Sequence, residues 1–184
     1  MAEPATYVAL LRGINVGGKN IVPMAALRTC LSDAGLANVR TYIQSGNVVF
    51  ESASNNKKAL AETVRKAMGQ AFAPEPTVQI LAASAFSDAV AACPYVSEPV
   101  ADKFVHLTFL DGDPAAGAED AAADLASATE QFALQGRVFY LLAPDGIGRS
   151  KLAARIENVV GVGATSRNLR SCRKILELAD ITLR

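Results

Sequence analysis

The sequence predicts an α+β fold made of two βαββαβ subdomains with C-terminal helices. Three observations carry this. Hydrophobic residues make up 51% of the 184-residue chain and charged residues 20%, enough to bury a core and too apolar for disorder. Apolar positions switch repeatedly between the continuous or alternating runs of strands and the three-to-four-residue spacing of helices. The order of these segments in the first half recurs in the second.

Residues 6–12, Thr-Tyr-Val-Ala-Leu-Leu-Arg, read as a buried strand, followed by a Gly-rich loop over 13–22. Pro23 suits the first turn of a helix whose Met24, Leu27, Leu31 and Ala34 share a face, and Gly35 stops it. The runs 39–43 and 47–51 flank Gln44-Ser45-Gly46-Asn47, a hairpin signal. A second helix over 55–72 places Leu60, Val64, Met68 and Phe72 on one side, and Pro74 and Pro76 end it. Thr77–Leu81 is the fourth strand. This order is the split-βαβ, or ferredoxin-like, motif.

In the second half, 103–110 is a strand, and Asp111-Gly-Asp-Pro114 turns into an Ala-rich helix reaching about Ala128. Gln131–Tyr140 can be laid over Thr41–Phe50 with Gly136 on Gly46, which suggests an ancient duplication. Ala82–Ala92 reads as a connecting helix and 93–101, with Pro94 and Pro99, as a loop. A helix is expected over 151–160, broken by Gly161 and Gly163. Thr165-Ser166 is expected to cap a last helix with Leu169, Cys172, Leu176 and Ala179 inward and Arg167, Arg170 and Lys174 as a basic stripe. The expected organisation is 1–82, 83–148 and a helical segment 149–184 packed on the two.

The net charge is zero but unevenly spread: residues 1–92 carry +2, 93–136 carry −7 and 137–184 carry +5. The total argues against a basic nucleic-acid coat, while the basic last quarter allows a local anion site. Cys30, Cys93 and Cys172 are odd in number and match no metal-ligand spacing, and His106 is the sole histidine, so no metal site is expected. Unpaired small core cysteines suit a reducing compartment, so the cytoplasm is expected. Apolar stretches break well before 18 residues, and Met1–Ala5 has no basic or apolar leader pattern, so neither a membrane span nor a secretory signal is expected.

Three polar islands hold more Gly and hydrogen-bonding groups than a connection requires. Arg12-Gly-Ile-Asn15-Val-Gly17-Gly18-Lys19-Asn20 leads from strand to helix, where backbone N–H groups can face an anion. It departs from a P-loop, because Asn20 stands where the Mg²⁺-binding Ser or Thr belongs. Gln44, Ser45 and Asn47 would join it if the hairpin tip lies on the same sheet edge. Arg149, Ser150 and Lys151, with Arg167 and Asn168, precede helices and offer cations, a hydroxyl and N–H groups. The ligand-binding set expected is therefore Arg12, Asn15, Gly17, Gly18, Lys19, Gln44, Ser45, Asn47, Arg149, Ser150, Lys151, Arg167 and Asn168, lining a cleft between subdomains.

Catalytic templates are missing: there is no Gly-x-Ser-x-Gly, no His-Glu-x-x-His and no carboxylate dyad, and His106 reads as a satisfied core histidine. Binding of a phosphate-bearing ligand, a nucleotide or short nucleic acid, is the leading expectation, with no cofactor. The alternatives are an enzyme using Ser45 or Ser150 on a phosphorylated or acyl substrate, or a partner-binding protein. Nucleic acid is weakened by the scarcity of stacking rings, Tyr42 being the one candidate.

Tyr7–Gly18, Arg40–Phe50, Gly146–Lys151 and Thr165–Asn168 together closely resemble the bacterial family DUF1697, a domain of unknown function, over nearly the whole chain. The resemblance implies two ferredoxin-like subdomains and no particular activity. The sequence has Leu169 after Asn168, where the family often places an aromatic residue.

Overall fold

The computed structural model describes residues 3–72, 76–96 and 101–181. The chain divides into two compact units, Met1–Asp88 with Lys174–Arg184, and Ala89–Arg173. Each contains one four-stranded antiparallel sheet. Pro74 and Pro99, and the first two residues of the leader reading, lie outside the described residues.

In the first unit the order is β1 (Ala5–Arg12), α1 (Met24–Asp33), β2 (Ala37–Tyr42), β3 (Asn47–Ser52), α2 (Lys57–Ala71) and β4 (Thr77–Ala82), and then α3 (Ala83–Ala91) begins. The strands lie in the order β2-β3-β1-β4. β1 is central, with Val8 opposite Val49 and Leu81, and Ala9 opposite Val48 and Ile80. Side chains alternate, so Tyr7, Ala9 and Leu11 face the core that Leu27, Leu31, Leu60, Val64 and Met68 of the helices complete. Val8, Leu10 and Val49 on the opposite face are buried as well. That is why β1 reads as a continuous apolar run rather than an alternating one. Asn56 caps α2, its Oδ1 accepting from Ala59 N–H at 3.1 Å.

In the second unit β5 (Val105–Leu110) is followed by α4 (Ala118–Ala123), β6 (Gln131–Gln135), β7 (Val138–Leu142), α5 (Lys151–Ala154), α6 (Ile156–Val160), β8 (Ala164–Asn168) and α7 (Leu169–Leu178), which ends in the first unit's residues. The strand order is β6-β7-β5-β8, with β5 again central. Leu110, Phe139, Leu141, Leu152 and Val160 form its core.

Three expectations about local structure are corrected. Residues 164–168 form a strand, with Phe109 opposite Thr165 and His106 opposite Asn168, so the last helix starts at Leu169. A helix from Thr165 would leave the backbone groups on that side of β5 without partners. Arg167 therefore sits in a strand and leaves the stripe expected with Arg170 and Lys174. The helix over 151–160 is two short ones joined at Arg155. The Ala-rich helix stops at Ala123, and the turn after it is held by Ser127 N–H donating to Glu130 Oε2 at 2.9 Å. Among the described residues no helix is long and apolar enough to cross a membrane.

Candidate functional site

In the first unit the Gly-rich loop folds into a miniature hairpin. Gly17 and Gly18 have φ of 57° and 75°, the pair of left-handed residues that a tight I′ turn demands, and Lys19 N–H donates to Val16 O at 3.0 Å. Asn15 N–H donates to Asn20 O at 2.9 Å. The Asn15 side chain ties the loop down three ways: Nδ2 donates to Val22 O at 3.0 Å and to Gln44 O at 2.9 Å, and Oδ1 accepts from Val22 N–H at 2.8 Å. The hairpin turn after β2 does lie on the same edge as this loop, with Leu11 N–H donating to Gly46 O at 2.8 Å. Asn47 is buried, its Nδ2 donating to Ser45 Oγ at 2.9 Å and to Tyr42 O at 3.2 Å.

Arg12, Asn15, Gly17, Gly18, Lys19, Gln44, Ser45 and Asn47 thus gather at one end of one sheet. The N–H groups of Asn15, Lys19 and Val22 are spent within the loop, and the Asn15 and Asn47 side chains brace it. Exposed at this end are Arg12, Lys19, Gln44 and Ser45 and, beside them, three large apolar side chains, Val16 (65% exposed), Ile21 (63%) and Ile43 (52%). Ile43 also holds φ +48°, a left-handed backbone that a β-branched residue rarely adopts.

The remaining predicted residues belong to the second unit. Ser150 is buried and caps α5, its Oγ accepting from Ala153 N–H at 2.9 Å. Asn168 caps α7, its Oδ1 accepting from Ser171 N–H at 2.8 Å. Arg167 is half-buried, its Nη1 donating to Ser166 O at 2.8 Å. Burial pushes its pKa down to about 10, against the opposing influence of Cys172, so it stays charged at neutral pH. Burial likewise raises the thiols of Cys172 and Cys93. It also takes the Tyr140 phenol up to about 12, with Tyr140 donating to Ala89 O at 2.8 Å. Protonated and desolvated, these groups are poor nucleophiles.

Arg149 and Lys151 do share a concavity. A cleft of about 540 Å³ is lined by Arg149, Lys151 and Arg155 together with Asp124, Ser127 and Glu130. Around Arg149 it adjoins a smaller hollow of about 290 Å³ that adds Asp145 and Gly146. The three cations are exposed, and no hydrogen bond or ion pair joins their side chains to any of the described residues. The acids nearby have neutral partners: Thr129 Oγ1 donates to Asp145 Oδ2 at 2.6 Å, and Glu130 Oε2 accepts from Ser127 N–H.

Sequence reasoning did not find Arg155 or the acidic wall. Its one available signal for Arg155 was the four-residue spacing from Lys151 within the expected helix. A hollow of about 800 Å³ lined by residues of α1 and α2 holds no such constellation. Among the described residues no group of three or more His, Cys, Asp or Glu is placed to hold a metal ion.

His106 is buried, at 8% exposure, and burial lowers its pKa, the Lys103 carbonyl opposing the shift. Its Nε2 has no hydrogen-bond partner, so it is a core histidine but not a satisfied one.

The family described as "Protein of unknown function (DUF1697)" matches residues 5–140. No curated protein matches the chain. Among solved structures, "The structure of conserved bacterial protein SP0830 from Streptococcus pneumoniae" aligns with a TM-score of 0.74 at 24% identity, covering 95% of this chain and 98% of that one. At that identity the likeness speaks for the fold.

Proposed function

This chain belongs to the DUF1697 family, and on that footing we propose that it binds a small phosphate-bearing anion in the cleft of its second unit. The observation that carries the reading is the convergence of Arg149, Lys151 and Arg155, all exposed and with side chains that have no partner among the described residues, on one concavity of about 540 Å³. Such a volume suits a small ligand. Guanidinium groups match the oxygens of phosphate in geometry as well as charge. An enzymatic role through Ser150 has less support, because its Oγ is buried and occupied by Ala153 N–H. Nucleotides and nucleic acids also have less support, because the cleft lining includes no aromatic ring.

Titration calorimetry with inorganic phosphate tests this. The wild-type protein should bind, and Arg149→Ala, Lys151→Ala and Arg155→Ala should each lower affinity by about tenfold, the worth of one charge-assisted hydrogen bond. A triple variant that binds phosphate as well as wild type ends the proposal.

Two further readings rest on the fold. The shared element order and the matching strand orders β2-β3-β1-β4 and β6-β7-β5-β8 support a ferredoxin-like assignment for each unit and an origin by duplication. Three cysteines without disulfides support residence in a reducing compartment. A second functional reading, self-association through the apolar tip of the first unit, is favoured by the exposure of Val16, Ile21 and Ile43. Light scattering over a concentration series, with and without Ile21→Ser and Ile43→Asn, decides it, a monomer at every concentration being the refuting result.

A further inference from the structure

We infer that the ligand of this cleft is a phosphomonoester of a small polyol, such as a sugar phosphate, rather than a bare anion or a nucleotide; the inference rests on the anion-binding reading above. The polarity of the cleft carries it. The larger hollow sets three cations, Arg149, Lys151 and Arg155, against Asp124 and Glu130, while the adjoining smaller one sets Glu130 and Asp145 against Arg149 alone, so cations outnumber carboxylates in the first and carboxylates outnumber cations in the second. These carboxylates have not neutralised the cations, since among the described residues no ion pair joins them. Asp145 Oδ2 and Glu130 Oε2 each accept from a neutral donor. Each carboxylate has a second oxygen as a further acceptor, and both residues line the smaller hollow. A pure anion would be repelled by that end. A ligand with hydroxyl donors a few bonds from its phosphate satisfies both ends.

Charge decides against an amino acid as the occupant. A single α-carboxylate uses one cationic partner, whereas a dianionic phosphate with three terminal oxygens can engage Arg149, Lys151 and Arg155 together. Ring chemistry decides against a nucleotide. The apolar part of the lining is Leu125, Ala126 and Ala143, aliphatic side chains that offer no face for a base to stack on.

The test is calorimetry on the full-length protein with four probes: inorganic phosphate, propyl phosphate, ribose 5-phosphate and adenosine 5′-monophosphate. Ribose 5-phosphate should bind at least tenfold more tightly than propyl phosphate, and adding adenine should bring no gain. In the variant Glu130→Gln with Asp145→Asn that preference should shrink to threefold or less, while inorganic phosphate binds as well as or better than to wild type. Equal affinity for propyl phosphate and ribose 5-phosphate in the wild-type protein overturns this inference and leaves the anion site standing. Tighter binding of the adenine nucleotide overturns it in favour of a nucleotide site. Failure of all four probes to bind, or binding indifferent to the Arg149→Ala, Lys151→Ala and Arg155→Ala triple variant, defeats the anion-binding reading itself.

Discussion

Replacing Gly46 by alanine should destabilise the first unit far more than the same change at Gly136 destabilises the second, although both glycines occupy the β-hairpin turn of their unit. Gly46 has φ +78°, and an alanine Cβ there would lie 2.6 Å from Leu11 Cβ, 3.0 Å from Leu11 O and 3.1 Å from Ile14 Cδ1. Leu11 cannot retreat: it is paired with Val78, is almost fully buried, and its N–H is bonded to Gly46 O. The left-handed backbone costs an alanine about 1–2 kcal/mol. Overpacking against a fixed neighbour adds about 1–3 kcal/mol. The stiffer unfolded chain returns about 0.4–1 kcal/mol. The net for Gly46→Ala is a loss of roughly 1–4.5 kcal/mol, centred near 3.

Gly136 has φ +55°, and an alanine Cβ there would meet nothing within 4 Å, so only the backbone cost applies. The expected loss for Gly136→Ala is about 1 kcal/mol or less. The chain has no tryptophan, so urea unfolding is followed by far-ultraviolet circular dichroism. Hydrogen exchange then locates the loss in the amides of β1 and β3 for Gly46→Ala. Equal losses at the two glycines, or a Gly46→Ala loss below about 1 kcal/mol, would refute the packing argument.

Other outcomes follow from the same physical terms. Because burial holds the His106 pKa below its ordinary 6.5, the unfolded chain binds its proton first as pH falls. Stability should therefore drop below pH 6.5, by up to about 1.4 kcal/mol per pH unit until the folded-state pKa is reached. His106→Met removes this part of the pH profile, and identical profiles between pH 7 and 5.5 would sink the assignment. Ile43→Asn relieves a left-handed β-branched residue and should raise stability by about 1 kcal/mol, measured as a urea midpoint shift at unchanged slope; a lower midpoint contradicts the strain. The Tyr140 phenol, pushed up to about 12 from 10.0, should ionise in the unfolded chain first, so its stabilising contribution erodes from pH 10 and is gone above about 12. The difference in alkaline tyrosinate absorbance between wild type and Tyr140→Phe should titrate near the upper value, and a midpoint near 10 disproves the burial.

The sheets and their central strands were legible because burial on both faces leaves a long apolar run, as in Tyr7–Leu11, or one broken only by single polar residues, as at His106 and Thr108 within Val105–Leu110. The hairpin at Gly46 was legible from its turn residues, and family membership from two long motifs. The strand 164–168 was not. Thr165-Ser166 ahead of periodic apolar positions imitates a helix cap, and the true cap is Asn168, three residues later. Local chemistry offered two starting points, and pairing with β5 selected between them. The candidate site was half legible: Arg149 and Lys151 stand in a conspicuous island, and Arg155 is marked only by its four-residue spacing from Lys151, but Glu130 and Asp145 carry no local mark.

The order of elements through β7, the apolar core positions of the first unit and the hairpin turn at Gly46 were determined by the sequence alone, because each follows from interactions among residues a few places apart. Which strand completes the second sheet, and which charges meet in its cleft, were decided only by the tertiary structure. Those outcomes rest on hydrogen bonds and juxtapositions between residues dozens of positions apart, and no local spacing encodes them.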